Sequence, residues 1–392
     1  MTIKKRLILN FPGYEGLHPN AIRGRYLNSA ADFGRLWHAR TEATAITGEG
    51  PDLASFRIRS KGANWETETE FCQFGSADIF DLYTARSTPV RLFTGGRAFL
   101  NIVFTGTFWR YARTAWRFSL FFLWPFLLTV LLTLIFLGVS LLPLMFGLGP
   151  VHLVWSVPGA IAISALLLRW PGEKLFMSYL LDDWSAAYDR IHGTNPALVG
   201  KRKAFADYML RKLRETDADE VVIVGHSLGT VPLVEAIADV WRRDPAVFER
   251  IPVSVLSVGS CLLMIGLHPK AGKLREDARI VFGETPVIWA EFQSLTDIIH
   301  FYKTDPVEVL RIEGAAKPVI SAIKFRNVHS AKRYKRAKGN FFKMHLLFIK
   351  GAQMRQAYDI AMFHQGPFPF RHLVIDNRGK AAPLDNEGRL IR

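Results

Sequence analysis

Ser227 lies in the pentapeptide Gly225-His226-Ser227-Leu228-Gly229, and its flanks give that spacing a chemical meaning. Residues 221–225 form a short apolar run, and Val231, Val234, Ile237, Ala238 and Trp241 then recur at helical spacing. The pattern predicts a strand, a sharp turn and a helix with the serine at the apex, the G-x-S-x-G nucleophile elbow. Side chains at the two flanking positions would collide with the neighbouring strand and helix, so glycine is required there. The turn lifts the hydroxyl above the sheet edge, and the helix N-terminus aims backbone N–H groups at whatever the serine attacks. Pro232 falls at or just past the first helical turn, where a missing N–H costs little. The bland alternative is a Gly-flanked turn with an idle serine. A serine hydroxyl is a poor nucleophile until a base takes its proton, and that base needs an acid to fix its tautomer. Chemistry at Ser227 therefore demands a histidine and a carboxylate from elsewhere in the chain.

On these residues the chain resembles the α/β-hydrolase superfamily on its lipase and esterase side, where GHSLG is a common form of the elbow. The resemblance covers residues 7–16 and 204–376. It implies the chain order serine, acid, histidine. The segment 293–299, Gln-Ser-Leu-Thr-Asp-Ile-Ile, is similar to the one that carries the acid in some lipases, which points to Asp297. Asp305 is the runner-up and Glu291 stands behind it. Asp297 has a competing role as the cap of a helix beginning at Ile298. The candidate bases are His300, His329, His345, His364 and His372. His345 lies 48 residues past Asp297 and precedes a hydrophobic stretch, a spacing and position that suit the family best. His226 occupies the variable position of the motif and is expected to shape the surroundings of the serine. The resemblance also assigns the oxyanion to the Leu228 N–H together with a backbone N–H at Gly13 or Tyr14. The alternative for that loop is an ordinary Pro-Gly turn.

These side chains need a sheet to position them. Residues 7–9 read as a buried strand, 21–40 as a helix, and 56–59 with 67–74 as a hairpin. Helices are expected over 180–191 and 202–213, the second feeding the elbow strand as a βα repeat requires. Further strands are expected at 253–258, 286–292 and 371–375, and a helical stretch ends at 358–363. The predicted fold class is α/β: a mostly parallel sheet of α/β-hydrolase type flanked by helices, with a two-helix transmembrane hairpin inserted in the N-terminal half. The domain boundaries follow as 1–105, 106–172 for the hairpin, 173–376 for the main hydrolase part, and a polar tail, 377–392, expected to fray.

The hairpin rests on composition. Residues 118–168 are 51 consecutive positions without Asp, Glu, Lys or Arg. A membrane span needs about 20 apolar residues, so two spans fit, near 118–142 and 151–168, with the turn at 147–150. A buried soluble hairpin or a re-entrant loop are the alternatives. Trp109, Trp116, Trp155 and Trp170 fall where interfacial aromatics belong. Arg110, Arg113 and Arg117 precede the segment, and Arg169 and Lys174 follow it, which places both outer ends in the cytoplasm.

The chain of 392 residues carries 49% hydrophobic residues and a formal charge of +15, a balance that suits a membrane protein with a basic, membrane-facing part. Its two cysteines, Cys72 and Cys261, suit a reducing compartment and build no disulfide framework. Metal-ligand and phosphate-loop spacings are absent, so no cofactor or metal is expected. Between Glu313 and Asp359 there are eleven basic residues and no acidic one. Lys332, Arg333, Lys335, Arg336 and Lys338 are expected to meet anionic lipid headgroups, and no nucleic-acid motif accompanies them. The reading is a membrane-anchored serine esterase or lipase-like hydrolase whose partners are the lipid bilayer and an ester or lipid substrate. An acyltransferase with the same triad, or a catalytically silent fold serving as a membrane scaffold, are the rivals.

Overall fold

The computed structural model describes residues 2–50 and 52–391. Its centre is a nine-stranded sheet in the order β2-β4-β5-β1-β6-β7-β8-β9, with β3 paired to β4. The strands are β1 (Lys5–Phe11), β2 (Arg40–Ala43), β3 (Thr47–Gly50), β4 (Leu53–Lys61), β5 (Glu66–Phe74), β6 (Glu220–His226), β7 (Val253–Val258), β8 (Ile288–Ser294) and β9 (Val319–Ile323). From β5 across to β9 every neighbouring pair is parallel; β2, β3 and β5 each pair antiparallel with β4. Parallel strands are covered on both faces, which is why β6 reads as a continuous apolar run and is buried throughout. On β1 the pleat sends Leu7 and Leu9 into one core and Ile8 into the other.

The expected hairpin is therefore part of the main sheet, and the N-terminal 105 residues share that sheet with the rest of the chain. β1 sits between β5 and β6, with Leu9 opposite both Cys72 and Ile223. A buried ion pair pins this junction: Arg6 Nη2 lies 2.7 Å from Glu220 Oε1. The same guanidinium donates to the carbonyls of Gly366 and Phe368, and Glu220 accepts from the Phe370 N–H. These contacts fix the chain at 366–370 beside the sheet, and the strand expected at 371–375 is instead a helical turn, His372–Asp376. The tail expected to fray is also held. Trp65 Nε1 donates to the Gly388 carbonyl at 2.9 Å, and Arg355 Nη1 donates to the Asp385 carbonyl at 2.7 Å.

Two helices, Trp116–Met145 and Pro150–Gly172, are long and apolar enough to cross a membrane, with mean hydropathies of 2.6 and 1.9. They pack on each other, and near the tip Ser156 Oγ donates to the Ser140 carbonyl at 3.0 Å. The first turns of Trp116–Met145 belong to the main core rather than to the apolar exterior. Phe118 stacks near Phe301 with centroids 4.2 Å apart, and Phe122 meets Trp184 edge-on at 4.6 Å. The exposed apolar surface of this helix becomes continuous only from about Leu127. From there to Met145 the helix rises about 28 Å, close to the thickness of a bilayer core. The exposed apolar stretch thus begins later than the span expected at 118–142, because aromatic core residues and exposed apolar residues look alike in sequence.

Candidate functional site

Ser227 follows β6 and precedes the helix Thr230–Arg243. Its φ of 55° lies in the left-handed region, a strained position for a residue with a side chain. The turn is locked from below. A Cβ on Gly229 would stand 2.3 Å from the carbonyl oxygens of Phe11 and Pro12, so only glycine lets the loop after β1 lie against the elbow. A Cβ on Gly13 would reach 3.0 Å from Ser227 Cβ. The loop is held in turn by the Tyr179 hydroxyl, which donates to the Tyr14 carbonyl. Gly13, Tyr14 and Leu228 consequently wall the same cavity as Ser227, a space of about 410 Å³.

Asp297 and His345 meet beside it. His345, on the short helix Phe341–His345, has Nδ1 at 2.7 Å from Asp297 Oδ2. Asp297 follows β8, and its Oδ1 accepts the Ile299 N–H at 3.0 Å. No helix begins at Ile298; the carboxylate closes a local turn with one oxygen and faces His345 with the other. Asp305 does cap a helix, accepting from the Val307 N–H at 2.8 Å, and this takes it out of the constellation. Glu291 is buried with Gln293 and Ser257 and lies outside the cavity lining.

His300 Nδ1 lies 2.9 Å from the same oxygen of Asp297. Its Nε2 accepts the Ser294 N–H at 3.1 Å, so its proton sits on Nδ1, close to the carboxylate but without the alignment of a hydrogen bond. Burial alone would raise the Asp297 carboxyl, but the His345 and His300 rings facing it outweigh burial and hold it well below the usual carboxylate range. An ionised Asp297 fixes the His345 proton on Nδ1 and leaves the Nε2 lone pair free. That Nε2 is buried and has no hydrogen-bond partner. The Ser227 hydroxyl faces the Cys261 thiol at 3.5 Å.

His226 lies against His345 with ring centroids 4.5 Å apart and the planes tilted by 32°. Burial, then the nearby His345 and Arg25, push its pKa well below the usual value, so it is a neutral neighbour of His345. His329 is bonded to the Leu347 carbonyl, His364 packs against Tyr26 and Phe71, and His372 faces Asp376; none of the three lines the cavity. Sequence reasoning did not find Cys261, Gly259 or Asp183. Cys261 is buried and bonded to Ser227, and a Cβ on Gly259 would stand 2.9 Å from His345 Cε1. Asp183 lines the cavity. Its only signal in sequence is an Asp-Asp pair set between Leu181 and Trp184 in an otherwise apolar stretch.

The rest of the wall is aromatic. Phe118 and Phe121 come from the first long apolar helix, and Phe176 lies just after the second. Phe121 meets Phe341 at 5.5 Å, Phe176 meets Phe342 at 4.5 Å, and Tyr179 meets Phe342 at 4.7 Å. Of the basic segment, Lys332, Lys335, Arg336 and Lys338 are exposed. Arg333 is not part of that surface: it pairs with Asp32 at 2.8 Å and donates to the Gly351 carbonyl, tying its helix to Pro19–Trp37. Among the described residues no group of three or more His, Cys, Asp or Glu is placed to hold a metal ion.

Compared with protein-family models, curated proteins and solved structures, the chain matches none of them.

Proposed function

We propose that this chain is a membrane-anchored serine hydrolase of α/β-hydrolase type that cleaves a carboxylic ester borne by a lipid. The observation that carries the reading is the Asp297–His345 hydrogen bond at 2.7 Å, with the unpartnered His345 Nε2 in a cavity shared with a strained Ser227. Rotation of the Ser227 side chain from Cys261 towards His345 completes the relay. Ser227 Oγ then attacks the ester carbonyl and gives its proton to Nε2. The oxyanion is held by the Leu228 N–H and the Gly13–Tyr14 loop. The alkoxide leaves with the proton from His345, and a water, deprotonated by the same nitrogen, releases the acid and restores Ser227.

The lipid part of the reading rests on the wall of the cavity. Phe118 and Phe121 stand on the helix that continues into the exposed apolar hairpin, so an acyl chain can pass from the bilayer to the serine without crossing water. Arginines at the base of the hairpin put the hydrolase part on the cytoplasmic face. The test is hydrolysis of a nitrophenyl ester by the purified chain. Wild type should turn it over and Ser227→Ala should lose about 10⁴-fold or more in kcat; equal rates would remove the reading.

A further inference from the structure

Asp183 stands on the helix Met177–His192, which follows the apolar hairpin, and it faces the Ser227 cavity. Its carboxylate makes no hydrogen bond among the described residues, and its Oδ1 is fully buried. Among the described residues no cation compensates it. Arg25, the guanidinium on the same cavity wall, is committed to Glu15 through two hydrogen bonds of 2.8 and 2.7 Å. Arg91 faces the adjacent Asp182 at 3.5 Å. The Tyr14 hydroxyl, on another cavity-lining residue, is likewise buried without a partner. Orphaned polar atoms in an aromatic cavity are costly unless a ligand satisfies them.

An acyl chain satisfies neither group. From this we infer that Asp183 is a specificity-determining residue, selecting esters whose alcohol part carries a free hydroxyl close to the scissile bond. This rests on the serine-hydrolase reading above and names the substrate class for that site. A hydroxyl both donates and accepts, so it can pair with Asp183 and with Tyr14 Oη. It also pairs with Asp183 in either protonation state. Burial, reinforced by Asp182, pushes that carboxyl up to about 7, so both states are populated near neutrality. A cationic head group would also suit a carboxylate. The basic segment that carries His345, with eleven Lys and Arg and no acid between Glu313 and Asp359, disfavours it.

The experiment uses the full chain in detergent and three decanoate esters. The 2-hydroxyethyl and propyl esters are isosteres that differ by the hydroxyl, and the choline ester supplies a cation. For each, kcat/KM and protection of Ser227 from a fluorophosphonate probe are measured in wild type, Asp183→Leu and the smaller Asp183→Ala. Two replacements are used so that a folding failure in one leaves the other to be read. Wild type should favour the hydroxyethyl over the propyl ester at least tenfold, and both variants should bring that ratio to about one. A role in folding alone would scale both esters together and leave the ratio unchanged. An unchanged ratio with Ser227 still labelled overturns the inference and spares the hydrolase reading. A preference for the choline ester that vanishes with Asp183 assigns the carboxyl to a cation and also overturns it. No labelling of Ser227 in wild type removes both.

Discussion

His345 Nδ1 and Asp297 Oδ2 stand 2.7 Å apart although 48 residues separate them, and His300 meets the same oxygen from the other side at 2.9 Å. One carboxylate oxygen therefore orients the proposed base while a second imidazole lies close beside it. Asp297→Asn and His345→Ala should each lower kcat by about 10³–10⁴, and adding either to Ser227→Ala should change little, because the three act as a unit. His300→Asn should cost less, since His300 faces Asp297 and does not line the cavity. Steady-state kinetics on a soluble ester check this; full activity in Asp297→Asn would reject the assignment of the acid.

The buried Glu291 gives a stability prediction with a definite sign. Burial pushes its carboxyl up to about 7. Its folded pKa thus exceeds its unfolded one, so the native state keeps a proton that the unfolded chain releases. The stabilisation this gives is fully present below about pH 4 and is lost as pH rises to about 7. Glu291→Gln should remove that loss, gaining on the order of 1–3 kcal/mol at pH 8 and little at pH 4.5. Thermal unfolding in detergent at the two pH values measures it. A destabilised variant at pH 8 would show that the Gln293 and Ser257 bonds need the charge.

The basic surface separates into two roles. Changing the exposed Lys332, Lys335, Arg336 and Lys338 to Gln should slow hydrolysis on anionic vesicles, since each contributes up to about 1 kcal/mol near such a surface. A small soluble ester should be hydrolysed at an unchanged rate, and added salt should shrink the vesicle effect. Arg333→Gln should instead lower the melting temperature, because the buried Asp32 keeps only its Arg35 partner and Oδ2 loses its own. Equal losses on vesicles and soluble ester after the fourfold change would mean that the segment supports His345 rather than lipid contact.

Much of this arrangement was legible in the chain. The elbow could be read because a continuous apolar run, buried throughout as β6, gives way after Ser227 to apolar residues at helical spacing, although the structure buries the first nine residues of that helix. Asp297 and His345 were reachable only through chain order and family spacing; nothing local distinguishes His345 from His329, which is just as buried. Asp183 was not legible, since its meaning lies in the partners it lacks. The segment 371–375 looked like a strand by its apolar residues, but it forms a helical turn just after residues that Arg6 and Glu220, more than 100 residues away, fix in place. Likewise Phe118 and Phe122 are as apolar as Leu127, and only packing against Phe301 and Trp184 separates core from exterior.

Topology is testable at the hairpin. The basic residues lie at its base and none lies between residues 118 and 168. A reporter active only outside the cytoplasm should therefore be active when fused at Gly149 and silent when fused after Arg392. The opposite pattern would put the Ser227 cavity on the other face of the membrane.

The central claim is that Ser227 is a nucleophile activated by His345 and Asp297. The most direct measurement is reaction of the intact chain with a fluorophosphonate, followed by peptide mapping by mass spectrometry. The account predicts a single phosphonylated residue, Ser227, with labelling slowed at least a hundredfold in His345→Ala and absent in Ser227→Ala. Labelling at another residue, or no labelling of a folded chain, would contradict it.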